Sequence, residues 1–291
     1  MTENPRRLME RYGLHPRKSL GQNFLVDPAA PDRIAGYANL EPQDTVIEVG
    51  AGLGTLTTAL ADRADRVIAV ETDPEMVMIL HRELDRDNVD IVEGDIMALD
   101  PVRLLGLEPP DDGRPLWGER LLHYKVVANL PYYITSAVIR RFFEAAVRPS
   151  CMVLTVQYEV AKRLSAGPGD MSLLAVSAQF YSEPTICMKL GQNAFYPPPH
   201  VNSAVTRFDL REEPPVPCEN VPAFFRIARA GFAQRRKQLR NTLASTLHLD
   251  REIVADRLDA VGVSHKRRAE TLSMAEWGRA YKALAPLLGA D

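Results

Sequence analysis

Cysteine is scarce in this chain: Cys151, Cys187 and Cys218 are the only three in 291 residues, and no two lie close in sequence. That count excludes a disulfide framework and a cysteine-built zinc site, and no metal is expected; it suits a reducing cytoplasm. Long apolar runs are also missing. None approaches the roughly 18 residues that a membrane-spanning helix needs. The opening Met1–Arg7 is polar with no apolar stretch behind it, so no secretory signal is expected and the location is taken as cytoplasmic. Internal repeats are absent. Charge of one sign is lacking too, since 35 basic residues stand against 38 acidic ones for a net charge of −3. A nucleic-acid partner must therefore be sought in how charge is distributed, not in its sum.

What is present is apolar sequence in quantity, 46% of the chain, enough for a full core. It comes in alternation. Thr45–Val49, Arg66–Val70, Val89–Val92, Lys125–Ala128 and Cys151–Val156 read as strands. Helical patterns over Thr55–Ala64, Pro74–Leu84 and Thr135–Ala145 lie between them. Thr185–Leu190 and Ser203–Asp209 complete a set of seven strands. Such alternation predicts an α/β fold with a mostly parallel, doubly wound, Rossmann-like sheet. Gly106–Arg120, with Pro109, Pro110 and Pro115, reads as a loop. At Glu212-Glu-Pro-Pro-Val-Pro217 the composition changes to that of a stiff linker. Only helical patterns follow, over Pro222–Leu247, Arg251–Ala260 and Met274–Leu288. The expected organisation is a first domain over residues 1–211 and a small all-α domain over 212–291.

The first strand runs into Glu48-Val-Gly50-Ala-Gly52-Leu-Gly54. Glycines there let the backbone turn tightly and approach a ligand. The dinucleotide fingerprint is spaced G-x-G-x-x-G; here the third glycine comes one residue early and an acid precedes the first. Both features argue against a nicotinamide dinucleotide and toward S-adenosylmethionine, which has no pyrophosphate to cradle. Ligands of doubly wound sheets lie beyond the carboxyl ends of the strands, and four strands end in Gly50, Glu71, Asp95 and Asn129. Glu71 could accept from both ribose hydroxyls. Asp95 could accept from the adenine amino group while the Ile96 N–H donates to the ring. Asp73-Pro74 reads as a helix cap and first turn.

Asn129-Leu130-Pro131-Tyr132 suggests what is done with the cofactor. The lone pair of adenine N6 is delocalised into its ring. Two acceptors on the amino hydrogens, the Asn129 side-chain oxygen and the Pro131 carbonyl, would favour a tetrahedral nitrogen and free that pair for an in-line displacement. Tyr132 would stack on the adenine, which must leave its own stack to enter the site. Phe195, in the rigid Asn193-Ala-Phe195-Tyr196-Pro-Pro-Pro199 segment, is the candidate for a second stacking ring; a core phenylalanine is the plainer alternative.

Basic residues cluster in three places. Arg226–Arg240 contains Arg226, Arg229, Arg235, Arg236, Lys237 and Arg240 and no acid. The others are His265-Lys266-Arg267-Arg268, and Arg6-Arg7 with Arg11, Arg17 and Lys18. Localised clusters on a slightly acidic chain point to phosphate contact. Phe224, Phe225, Phe232 and Leu239 fit the apolar face of the same helical pattern and read as core.

Together these segments resemble the small-subunit rRNA adenine N6,N6-dimethyltransferase family. The resemblance rests on Pro16-Arg-Lys-Ser-Leu20-Gly-Gln22-Asn23-Phe24-Leu25-Val-Asp27, on Glu48–Gly54, on Asn129–Tyr132 with Ile134-Thr135-Ser136, and on Phe195–Ser203. It covers most of residues 14–210, and the basic stretch near 225–243 extends it. It implies that Gln22, Asn23 and Leu25 close over S-adenosylmethionine and that Gly50, Gly52, Glu71, Asp95, Ile96 and Asn129 contact it. It also implies a substrate of two adjacent adenosines near the 3′ end of small-subunit rRNA, met within an assembling 30S particle, with Arg229, Arg235, Arg236, Lys237 and Arg240 on the RNA. A monomer is expected. The chain departs from the family pattern at Tyr158, where a basic residue is common, and at Gly169-Asp170-Met171-Ser172, in place of a Tyr-Gly step; both put local RNA contacts in doubt.

Rival readings are a large-subunit rRNA adenine methyltransferase of the antibiotic-resistance type, and a non-catalytic RNA-binding factor in assembly or transcription. Leu130 and the basic tail speak against the first, and the intact Asn129, Pro131 and Tyr132 against the second. A cytosine-C5 enzyme needs a Pro-Cys nucleophile after the fourth strand, but the one Pro-Cys step here is Pro217-Cys218, in the linker.

Overall fold

A computed structural model describes residues 4–108 and 124–289; most of the loop expected over Gly106–Arg120 lies outside them. The seven strands are β1 Thr45–Val49, β2 Arg66–Glu71, β3 Val89–Glu93, β4 Tyr124–Asn129, β5 Cys151–Gln157, β6 Ser182–Leu190 and β7 Ser203–Leu210. They form one sheet in the order β3-β2-β1-β4-β5-β7-β6. The first five are parallel neighbours, and β7 runs antiparallel to β5. The fold is the α/β class expected. The central strands are apolar on both faces, with Val46, Ile47, Val67, Val126, Val127, Val153 and Leu154 all buried, as a sheet covered by helices requires. Chain order reverses on either side of β1, so β1 and β4 diverge at the point where such sheets hold ligands.

Two compact units make up the chain. The first is Met1–Ala161 with Thr185–Glu212 and carries the sheet. The second is Lys162–Pro184 with Glu213–Asp291. The excursion Lys162–Pro184 was not anticipated, since the linker composition marks only the crossing near residue 212. Its physical reason is aromatic. The helix Leu173–Tyr181 carries Phe180, whose ring lies 4.6 Å from that of Phe224 and 5.1 Å from that of Phe225. The segment thus buries its large side chains among the C-terminal helices.

The helix expected over Pro222–Leu247 is two helices, Val221–Phe232 and Leu239–Leu247. Between them Gln238 is extended, with ψ 150°. The first N–H groups of the second helix are taken by a distant segment: Leu239 donates to Arg267 O at 2.7 Å and Arg240 to His265 O at 3.2 Å. These bonds satisfy donors that a helix start leaves open and turn the chain at the run Arg235-Arg236-Lys237. Phe224 and Leu239 are buried, and Phe232 packs on Trp277 at 5.3 Å. At Gly231 a Cβ would sit 2.5 Å from the Trp277 ring, so only glycine permits that approach. The remaining two helical patterns appear as Arg251–Ala260 and Met274–Leu284.

Candidate active site

The parallel strands β1 to β4 end side by side, and beyond their ends a cavity of about 360 Å³ opens in the first unit. That volume falls within the usual range for small-molecule sites. Gly50, Gly52, Glu71, Asp95, Ile96 and Asn129 all line it, together with Gln22, Asn23 and Leu25 from the N-terminal segment and Pro131 and Tyr132 from the target motif. Residues separated by more than a hundred positions thus face one space.

The glycine turn is held from below. Gly50, Gly52 and Gly54 all have positive φ, from 57° to 77°. Gly50 N–H donates to Val70 O at 2.8 Å. Gly52 N–H donates to Glu71 Oε2 at 2.8 Å, while Glu71 Oε1 accepts from Thr72 N–H at 2.8 Å and Asp73 N–H at 2.9 Å. Expected from sequence as an acceptor from both ribose hydroxyls, Glu71 is the clamp that shapes the turn; of about four lone-pair sites on a carboxylate, three N–H groups leave one, on Oε2, for a single ribose hydroxyl. A Cβ on Gly52 would lie 3.2 Å from the Phe24 ring. That ring belongs to an apolar cluster of Leu8, Met9, Phe24, Leu53, Met76 and Ile79, which ties the helix Pro5–Tyr12 across the turn. Asp95 is exposed and both caps its turn, accepting from Met97 N–H at 2.9 Å, and lines the cavity.

Glu48 is 1% exposed and buried beside the Thr57 hydroxyl. Burial raises its carboxyl to about 8, with Thr57 opposing and the charge of Glu71 adding. In the fold it is therefore mostly protonated at neutral pH, while the unfolded chain ionises near the ordinary value of 4.5. The folded state holds the extra proton between those values, so this group's contribution to stability falls as pH rises through that window. Glu48→Gln is expected to stabilise the protein at pH 8 by on the order of a few kcal/mol and to change little at pH 4; denaturant unfolding at the two pH values measures it.

On the target side, Asn129 Nδ2 donates to Asn23 O at 3.0 Å. Pro131 O accepts from Ile134 N–H at 3.2 Å, closing a short helical turn, Tyr132–Ile134. The Tyr132 hydroxyl is tethered to the buried Ser203 hydroxyl at 2.6 Å, which fixes the ring, and burial raises its ionisation point against the effect of that bond. Ser203 ends the Phe195–Ser203 segment, and nothing in its spacing along the chain shows that it meets Tyr132. Tyr133, 67% exposed, lines the same cavity and was not singled out, although it follows Tyr132 directly.

Phe195 is a correction. It is 3% exposed, paired to Leu25 in a two-stranded ribbon and packed among core residues such as Ile34 and Val205; it does not line the cavity. Its large apolar surface is satisfied in the core, and the prolines that follow fix the strand it sits in.

The basic clusters divide in the same way. Arg229 is exposed on its helix, and Arg235, Arg236 and Lys237 are exposed in the turn before the second helix, with no acidic partner among the described residues. Arg240 is instead drawn against His265, Nη1 lying 3.3 Å from Nε2. Arg267 pairs with Glu276, and Arg268 with Glu270 at 3.7 Å. In the N-terminal cluster, Arg11 pairs with Glu83 at 2.7 Å and Arg17 with Asp73 and Glu75. At the two departures from the family pattern, the Lys189 ammonium lies 4.4 Å from the Tyr158 ring centroid, and Gly169 and Met171 both donate to Glu270 O. Among the described residues no helix is long and apolar enough to cross a membrane.

Known proteins resemble the chain over most of its length. Two bacterial proteins named ribosomal RNA small subunit methyltransferase A, from Dehalococcoides mccartyi strain CBDB1 and Pelotomaculum thermopropionicum, are each 43% identical to this chain. The alignments cover 93% of this chain and 89% of the first relative, and 94% and 92% for the second. Among solved structures, the 23S rRNA methyltransferase ErmE superposes with a TM-score of 0.69 at 27% identity, over 90% of this chain and all of the other. A dimethyladenosine transferase from Plasmodium falciparum has the same fold, with a TM-score of 0.73 at 21% identity, over 90% and 98%. The model of the ribosomal RNA adenine dimethylase family matches residues 13–285, and the chain belongs to that family.

Proposed function

We propose that this protein transfers methyl groups from S-adenosylmethionine to N6 of two adjacent adenosines near the 3′ end of small-subunit rRNA, as a cytoplasmic monomer acting on an assembling 30S particle. The observation that carries the cofactor is the charge of the cavity. Its lining includes the carboxyl groups of Glu71 and Asp95, with the buried and protonated Glu48 beside them, and no lysine or arginine. A pyrophosphate would be repelled there, whereas a sulfonium and an α-ammonium suit it. Bound S-adenosylmethionine supplies an electrophilic methyl group. The chain's own residues do the rest. The glycine turn and Glu71 hold the nucleoside, Gln22, Asn23 and Leu25 cover it, and Asn129 and the Pro131 carbonyl accept the amino hydrogens of the adenine. Tyr132, with its hydroxyl held by Ser203, offers a fixed stacking face. Positioning and electrostatics are sufficient roles for such a transfer.

The relatives' names favour the small-subunit substrate over the large-subunit one. The test is transfer of label from S-adenosylmethionine to small subunits and to large-subunit rRNA, both lacking these modifications, followed by nucleoside identification. Dimethyladenosine in small-subunit RNA alone is expected; label confined to large-subunit RNA would overturn the substrate, and no label with the cofactor bound would overturn the activity.

The exposed turn Arg235-Arg236-Lys237, with Arg229, is the surface expected to meet phosphate. Replacing the three turn residues with alanine should weaken RNA binding and make the slope of log K against log salt shallower by about 2, at roughly 0.7–0.9 per lost contact. Cofactor affinity should be unchanged, and binding titrations at several salt concentrations check both.

A further inference from the structure

Asn129 can present its amide oxygen to a substrate only if the amide plane is held, and what holds it is neither in its own strand nor in its own motif. The Asn129 NH2 group donates to the backbone carbonyl of Asn23, which turns the amide oxygen away from that partner. The carbonyl in turn depends on a short loop. Arg17 N–H donates to Gln22 Oε1 at 2.8 Å, and Gln22 Nε2 donates to Asp73 Oδ2 at 2.8 Å. Asn23 Nδ2 donates back to Gly21 O at 3.0 Å. The Arg17 guanidinium then bridges two carboxylates, Asp73 at 3.1 Å and Glu75 at 2.8 Å. The Asp73 side chain is fully buried, Arg17 is 42% exposed, and Arg17 is not among the residues that line the cavity. On its other side the loop rests on the target motif: a Cβ at Gly21, whose φ is +60°, would lie 3.3 Å from the Tyr133 ring and 3.4 Å from Pro131.

We propose that Arg17 is a positioning residue for methyl transfer, latching the loop Arg17–Asn23 to Asp73 and Glu75 so that the Asn23 carbonyl fixes the orientation of the Asn129 amide. The inference rests on the reading of Asn129 as the acceptor of the substrate amino group. The latch joins the two halves of the site, because Asp73 lies two residues beyond the cofactor-side Glu71 and Asn23 lies against the target-side Asn129. A guanidinium suits the task, since its fork reaches both carboxylates at once where an ammonium is a single point charge. Loss of the latch removes no group that touches substrate, but it loosens the loop that carries Gln22 and Asn23 and, through it, the orientation of the Asn129 amide. Small misplacements of a reacting group cost up to about a hundredfold in rate.

The experiment is a double-mutant cycle on the single-turnover rate with small subunits at saturating S-adenosylmethionine, with cofactor affinity measured separately by calorimetry. Arg17→Ala should lower the rate roughly tenfold, and Arg17→Lys should recover part of it. In an Asn129→Ala background, Arg17→Ala should cost less than about twofold, because groups that act through one another are not additive. Glu75→Gln, which removes only the exposed half of the latch, should show the same pattern with a smaller loss, and serves if Arg17→Ala fails to fold. Equal losses in both backgrounds would mean that Arg17 acts independently of Asn129 and would overturn the inference. So would an unchanged rate at saturating cofactor accompanied only by weaker cofactor binding. Wild-type transfer in the same assay checks the underlying function: if the wild type is inactive the functional reading fails, whereas an active wild type with an equally active Arg17→Ala removes the latch alone.

Discussion

Asn129→Ala is expected to reduce methyl transfer by about 10²–10³-fold, the scale seen when one preorganised hydrogen-bonding group is removed from an active site. Cofactor affinity should change far less, since the glycine turn, Glu71, Asp95 and the N-terminal cover remain. The side chain does two things at once. Its NH2 is used on the Asn23 carbonyl, and in the proposed mechanism its oxygen accepts from the substrate. Asn129→Asp separates the two. It keeps acceptor oxygens but has no hydrogen to give Asn23, so a carboxylate would face a carbonyl. The aspartate variant should therefore also be strongly impaired, although it could in principle accept from an amino group. Single-turnover rates and calorimetric cofactor affinities for both variants check this. A normal rate in Asn129→Ala with normal cofactor binding would remove the residue from the mechanism.

The second large effect is expected at Glu71. Glu71→Ala should raise the dissociation constant for S-adenosylmethionine by about 100-fold and lower stability by about 2–3 kcal/mol, because three backbone N–H groups, those of Gly52, Thr72 and Asp73, lose their acceptor near the cavity. The two losses have one origin. The carboxylate that would take the ribose also holds Gly52 in its left-handed conformation under the Phe24 ring. Glu71→Gln retains one acceptor oxygen and turns an NH2 toward donors, so it should fall between the wild type and the alanine variant. Calorimetry and denaturant unfolding measure the two consequences; an unchanged cofactor affinity in Glu71→Ala would exclude the proposed ribose role.

The strands and the cavity-lining residues at their ends were legible because both signals are local. A buried parallel strand is an apolar run with a polar or glycine residue at its end, and Glu71, Asp95 and Asn129 stand where such runs stop. The misreadings have a common cause in contacts distant along the chain. Phe195 has the residue type of a stacking ring, but pairing with Leu25 carries it into the core. The helical periodicity of Pro222–Leu247 is continuous, yet carbonyls of His265 and Arg267 interrupt it. Several of the basic residues that looked free find acids far away in sequence, as Arg17 does at Asp73 and Glu75.

By itself the sequence determined the α/β sheet, the glycine turn, the acid that follows β2 and the Asn-Leu-Pro-Tyr step, since each depends on periodicity or on the conformational needs of a few adjacent residues. The tertiary structure alone decided that these pieces share one acidic cavity, that the Asn129 amide donates to the Asn23 carbonyl, that Ser203 tethers Tyr132 and that Lys162–Pro184 joins the helical unit. Those outcomes depend on which hydrogen-bonding groups and apolar surfaces meet across long stretches of chain, and residue spacing carries no record of that.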